Sequence, residues 1–183
     1  MYYYFSASLP SLNFGQNPGM SVADFDELAS GQMSPESLAE LKSGTLRVSR
    51  EPGAAAGLPR VYADYTRFEQ YLRTRIAERR AGRDEERAVK LPDPELYFGE
   101  VDTALAAAAA ASDPFEREKQ IDRIRWRMLD DLEAGHDFDF DGLCVYRLRL
   151  AILNKYRNRS AETGRENFNA AVDRITDSAE KSI

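Results

Sequence analysis

Leu143-Cys144-Val145-Tyr146-Arg147-Leu148-Arg149-Leu150-Ala151-Ile152-Leu153-Asn154-Lys155-Tyr156 is the stretch on which the fold turns. At about 100° per residue, Leu143, Tyr146, Leu150 and Leu153 share one face of a helix, while Val145, Leu148, Ile152 and Tyr156 lie on nearly the opposite one. A helix that is apolar on two sides must be covered on both. Two arrangements meet that need: the central helix of a bundle, or a helix with one face on its own core and the other on a partner protein. Arg147 and Asn154 share one seam between the faces and Arg149 lies on the other. Each of these polar groups must reach solvent, a carboxylate or a partner.

Working outward, helix signals recur along the chain and strand alternation is missing. Ser21 precedes Val22-Ala23-Asp24, an arrangement in which the serine oxygen caps an orphan amide and Asp24 reaches back. Gly31 ends that short helix. Ser34-Pro35 supplies a cap and a proline at the first helical position, and Gly44 closes the next helix before a loop, Thr45 to Pro59, rich in Gly, Ala and Pro. Val61, Tyr65, Phe68, Leu72 and Ile76, spaced by four, three, four and four, form one stripe of a longer helix. It runs into Glu78–Arg87, a mixed-charge segment that reads as a solvated helix end and linker, or as arginines facing an acidic partner.

Leu91-Pro92-Asp93-Pro94 is a firm break, so the chain divides into an N-terminal half, 1–90, and a C-terminal half, 91–183, expected to pack as one unit. The second half places Phe98, Val101 and Leu105 on one face ahead of an alanine run, and Asp113-Pro114 restarts the helix with a second cap. Ile121, Ile124, Met128, Leu129 and Leu132 stripe the following helix, which Gly135 ends. A last pair is expected over about Asp141 to Asn158 and Gly164 to Ala179, the latter opened by Thr163 and Glu166 as a capping box. The expected fold is all-α, an irregular bundle of about seven to eight helices.

Bulk numbers narrow the function classes. The chain has 183 residues, 43% hydrophobic and 31% charged, enough for one sizeable core or two small helical lobes. A net charge of −6 argues against nucleic acid as a partner, since phosphate backbones call for clustered cations. A lone cysteine, Cys144, fits a reducing compartment. No stretch approaches the roughly 18 apolar residues of a membrane span. The chain therefore reads as a soluble, cytoplasmic protein with no direct membrane span.

The N-terminus carries an aromatic block, Tyr2-Tyr3-Tyr4-Phe5, followed by Ser6-Ala7-Ser8-Leu9-Pro10. Pro10, Ser11 and Asn13 interrupt it, and no Lys or Arg precedes it, so it does not read as a secretory signal. Aromatics in such number are expected to be buried in the fold or in a partner.

Chemistry-bearing motifs are sparse. Asp137-Phe138-Asp139-Phe140-Asp141-Gly142 imitates the opening of a calcium loop, yet the twelfth position, where a bidentate glutamate belongs, is Leu148. Asp137, Asp139 and Asp141 are thus a weak decoy; the phenylalanines are expected to plug into the core while Asp139 or Asp141 caps the next helix. His136, the single histidine, reads as a helix-end residue, and no phosphate loop, nucleophile elbow or zinc motif occurs. No catalytic residue, metal or cofactor is expected, and an enzyme is the less favoured class.

Two stretches together resemble a known family. Tyr2 to Gly15, with its aromatic start and Leu-Pro turn, resembles the opening of short bacterial proteins encoded with V-type (A/V-type) ATPase subunits. Phe138 to Leu153, then Gly164-Arg165-Glu166-Asn167-Phe168, is similar to that family's closing helix pair. More distantly, it is similar to the last helices of the all-helical adaptor of the ATPase rotor, the C-type component, whose eukaryotic form is the d-type one. The resemblance implies a non-catalytic coupling or assembly adaptor, built of two lobes of that C-type kind, between the central shaft and the membrane ring. It would be peripheral at the inner membrane through the ATPase complex, with the other ATPase subunits as partners. A free-standing helical adaptor or regulator is the alternative, and a metal protein or enzyme a more remote one. The residues expected to form an interface or to pack the halves together are Tyr2, Tyr3, Tyr4, Phe5 and Leu9 at the start. Tyr146, Arg147, Arg149, Leu150, Ile152 and Tyr156 are their counterparts on the two-faced helix.

Overall fold

A computed structural model describes residues 2–51, 53–81 and 99–157. Seven helices and no strand occur among these residues: α1 (Tyr3–Ser8), α2 (Val22–Ser30), α3 (Pro35–Ser43), α4 (Arg60–Ala81), α5 (Gly99–Ala110), α6 (Pro114–Glu133) and α7 (Phe140–Arg157). The expected break at Leu91–Pro94 and the expected last helix, 164–179, lie outside the described residues. The protein is all-α, an irregular bundle.

Local chemistry starts these helices where side chains can satisfy their first amides. Ser21 and Asp24 form a reciprocal capping box, the serine oxygen accepting at 3.1 Å and Asp24 accepting from the Ser21 amide at 2.7 Å. Ser34 accepts from the Ser37 amide and is followed by Pro35 at the first helical position, and Asp113 does the same for α6 with Pro114.

Packing then decides the arrangement. Helix α7 lies against α2, α4 and α6, which makes it the middle of the bundle. Leu143, Val145, Leu148, Leu150, Ile152 and Leu153 are all buried, so both of its apolar faces are covered within this chain. The α4 stripe sinks as well: Val61, Tyr65, Phe68 and Leu72 are buried, and Ile76 is half-buried where the helix emerges. Each such side chain contributes about 1.5–3 kcal/mol by leaving water. One hydrophobic cluster joins Phe5, Phe25 and Leu41 to Val101, Leu105, Ile124 and Leu129, drawing on chain from both sides of residues 82–98.

Two glycines are required by close approach. Tyr62 drives its ring under the end of α3, donating its hydroxyl to the Leu41 carbonyl at 2.6 Å, and a Cβ on Gly44 would stand 2.2 Å from that ring. Gly142, in the first turn of α7, lets the chain fold back so closely that a Cβ would stand 1.9 Å from the His136 carbonyl oxygen. That glycine serves packing of the turn before α7.

Candidate functional site

Helix α1 returns to the turn that leads into α7. The Tyr2 amide donates to the Phe138 carbonyl at 3.0 Å, and the Tyr2 ring lies 6.4 Å from Phe140. Three-residue spacing puts Tyr2 and Phe5 on the inner side of this helix. Phe5 is buried and stacks on Phe25 at 5.8 Å, which in turn meets Tyr146 at 5.2 Å. Tyr3 and Tyr4 cannot share that side. Tyr4 is 87% exposed, and Tyr3 is 50% exposed, between Tyr4 at 5.6 Å and Phe138 at 4.6 Å. Leu9 is half-buried at the margin of the core.

Phe138 is a correction to the sequence expectation. Of the two phenylalanines expected to plug inward, Phe140 packs on the core, whereas Phe138 turns out at 40% exposure and completes a trio with Tyr3 and Tyr4. Alternation of Asp and Phe carries no helical phase, so nothing in the segment itself distinguished the two rings. The structure adds a functional candidate there that the sequence did not single out.

The aspartates of this turn are committed to its geometry. Asp139 accepts from the Gly142 amide at 3.0 Å and pairs with His136 Nδ1 at 2.6 Å; Asp141 accepts from Arg60 at 3.0 Å. Arg60 also donates to His136 Nε2 at 2.5 Å, so the ring proton resides on Nδ1 and is donated to Asp139. Partial burial of Asp139 works against its charge, but the bonds from Gly142 and His136 outweigh it and hold the carboxyl below the usual carboxylate range. Asp137 is exposed and stands apart from this network. Among the described residues, no group of His, Cys, Asp and Glu side chains is placed to hold a metal ion.

The polar residues of α7 find partners inside the chain. Arg147 forks onto Asp26 at 2.8 and 3.0 Å and gives a further N–H to the Gly44 carbonyl at 2.6 Å. Burial opposes the charge of Arg147, and Asp26 more than restores it, raising the guanidinium above its ordinary range. Arg149 bridges Asp130 and Glu133 at 2.5 and 2.6 Å and lies over the Trp126 ring. Asn154 reaches the Met20 carbonyl at 3.3 Å, and the Tyr146 hydroxyl donates to the Pro10 carbonyl at 3.0 Å. Leu150 and Ile152 are fully buried. These α7 candidates therefore pack elements of the same chain together.

Tyr156 leads to a feature the sequence did not reveal. Its hydroxyl donates to Asp122, which also receives Lys155 at 2.6 Å and Arg125 at 2.7 Å. Arg125 forks onto Glu69 at 2.8 Å through both bonds, and Glu69 receives Arg73 at 2.8 Å. Glu69 and Asp122 are fully buried. Burial disfavours the charge on Arg125, yet Glu69 and Asp122 beside it push its guanidinium well above the ordinary range. With both carboxylates engaged by cations, the network acts as a brace across α4, α6 and α7.

The solvent-facing candidate is thus the aromatic trio Tyr3, Tyr4 and Phe138, mounted on a cross-braced helical body. Among the described residues, no helix is long and apolar enough to cross a membrane. A family described as "Protein of unknown function (DUF2764)" matches residues 66–179, more than half of the chain. No curated protein and no solved structure matches.

Proposed function

The chain belongs to the DUF2764 family, and from that premise we propose that it is a non-catalytic coupling or assembly subunit of a V-type ATPase. In this reading it is an adaptor of the C-type kind between central shaft and membrane ring, held at the inner membrane by its partners. The observation that carries the reading is the exposed trio of Tyr3, Tyr4 and Phe138, with neighbouring ring centroids 4.6 and 5.6 Å apart. Tyrosine combines a large apolar face with a hydroxyl, which suits a surface that is wet when free and dry when docked. The trio stands on α1 and the turn before α7, the two stretches that bear the resemblance to ATPase-associated proteins.

Mechanical coupling also calls for a body that does not yield. Ion pairs between α2 and α7, and among α4, α6 and α7, tie helices together at several heights. The adaptor has no reaction of its own in this account; it fits one surface to another.

Copurification from native membranes tests the proposal. The wild-type chain is expected to elute with ATPase subunits, and a Tyr3→Ser, Tyr4→Ser variant to remain folded but lose them. Elution apart from the ATPase, together with ATP-driven ion pumping that stays coupled when the gene is deleted, sinks it. A stable association with some other complex would instead favour a free-standing helical adaptor.

A further inference from the structure

A groove of about 950 Å³ opens between α4 and α6, and the Glu69–Asp122 brace forms part of its lining. Among the described residues its lining carries seven cationic side chains and three anionic ones, on a chain whose net charge is −6. The three carboxylates are already engaged: Glu69 by Arg73 and Arg125, Asp122 by Arg125 and Lys155, and Glu118 by Lys155 at 3.1 Å. Seven less three leaves a surplus of four positive charges among the described lining residues. Arg47, Arg50 and Arg80 are exposed and, among the described residues, have no carboxylate within ion-pair distance. Arg117 is exposed and gives one bond, to the Ala111 carbonyl at 2.9 Å.

Between these cations the lining also carries apolar groups, Leu46, Ile76, Ala77, Ala81, Pro114 and Ile121. Arg73, Ile76, Ala77 and Arg80 follow the i, i+3, i+4, i+7 register along α4, so the same stripe presents cations at its ends and aliphatic groups between them. On α6, Pro114, Arg117 and Ile121 stand three and four residues apart, a cation between two apolar groups. Leu46 closes the groove from the loop before α4, a loop held in place by Arg73 bonds to the Leu46 and Val48 carbonyls.

We infer that this groove binds an acidic amphipathic helix of a partner protein. Such a helix lays apolar residues of matching register on Ile76 and Ile121 and sets its flanking carboxylates against the rim arginines, whose forked guanidiniums suit carboxylate. A phosphate ligand would use the arginines and leave Ile76, Ala77 and Ile121 unmatched. Which assembly the aromatic trio joins has no bearing on this groove.

Fluorescence anisotropy on the full chain tests it. The probe is a labelled helical peptide of about four turns built of Leu, Ala and Glu, with Leu at alternating third and fourth positions. Its counterpart has Lys in place of Glu. The acidic peptide is expected to bind, more weakly as salt is raised, and the basic one not to bind. Arg47→Glu with Arg80→Glu weakens binding at least about tenfold, whereas Arg67→Glu with Arg127→Glu, equal in charge but outside the groove, changes it less than about twofold. Circular dichroism confirms that both variants are folded. Absence of binding to the acidic peptide, or equal loss in the two variants, overturns the inference. So does a rim-dependent response to inorganic polyphosphate with none to the peptide, which would assign the groove to phosphate instead.

Discussion

Arg147 and Asp26, 121 residues apart in the chain, meet through a two-pronged bond of 2.8 and 3.0 Å that locks α7 to α2. Both are largely withdrawn from water, and Arg147 gives a further N–H to the carbonyl of Gly44, just past the end of α3. Three helices therefore depend on one guanidinium. Arg147→Met leaves the Asp26 carboxylate partly buried without a cation and is expected to cost about 2–4 kcal/mol. Asp26→Asn together with Arg147→Met should cost less than the two single changes added, because the stranded charge is gone. Urea denaturation of the four proteins measures this.

Gly44 and Gly142 give a steric prediction. Gly44→Ala pushes a methyl into the Tyr62 ring, and Gly142→Ala pushes one into the backbone carbonyl of His136. Each is expected to destabilise by about 3 kcal/mol, the upper end for overpacking, since ring and backbone have little room to give. Gly31→Ala meets nothing closer than 3.7 Å and is the control, expected to be neutral or slightly stabilising in the same thermal melt.

How much of this was legible in the sequence depended on range. Caps such as Ser21 with Asp24, or Asp113 with Pro114, are decided within four residues, and their spacing announces them. The two apolar faces of α7 were equally plain, because periodicity records burial directly. Glu69 and Asp122 were not: on α4 and α6 they look like solvent-facing acids, and Arg125, 56 residues from Glu69, joins Arg73 and Lys155 in making their burial tolerable. The arginines of α7 were legible only as groups in need of a partner. As cations between apolar faces they left solvent, a carboxylate and a partner open, and only the fold brings Asp26, Asp130 and Glu133 to them.

Cys144 offers a probe of global unfolding. Fully buried in the first turns of α7, its thiol is pushed up to about 12 by burial, which the bond with Tyr62 only partly offsets. Native protein at pH 8 is expected to resist iodoacetamide, because thiolate and access are both lacking. Labelling should follow the urea transition recorded by circular dichroism; rapid labelling in buffer alone would show that α7 opens locally.

Acid should act partly through Asp139. A carboxyl whose folded-state pKa lies below its ordinary value of 3.8 adds stability above that value and loses it as pH falls through the folded pKa. Stability of the wild type is therefore expected to decline from about pH 4 downward. Asp139→Ala removes the cap on Gly142, costs about 1 kcal/mol at pH 7, and flattens the decline in that acid window. Unfolding curves at pH 7, 4 and 3, approximate settings that bracket the ordinary carboxylate range, separate the two effects.

Adjacent residues of α1 should respond in opposite ways. Phe5 is 7% exposed and stacked on Phe25, so Phe5→Ala opens a cavity beside the ring that links α1 to Tyr146 of α7, at an expected cost of about 3 kcal/mol. Tyr4 is 87% exposed and, among the described residues, its ring pairs with Tyr3 in a T-shaped contact, so Tyr4→Ala should alter stability by no more than about 0.5 kcal/mol. A lowered urea midpoint for Phe5→Ala beside an unmoved one for Tyr4→Ala would separate anchor from surface within a single turn of helix. If Tyr4→Ala is as damaging as Phe5→Ala, the tyrosine is part of the folded core, and its ring is not free to dock on anything else.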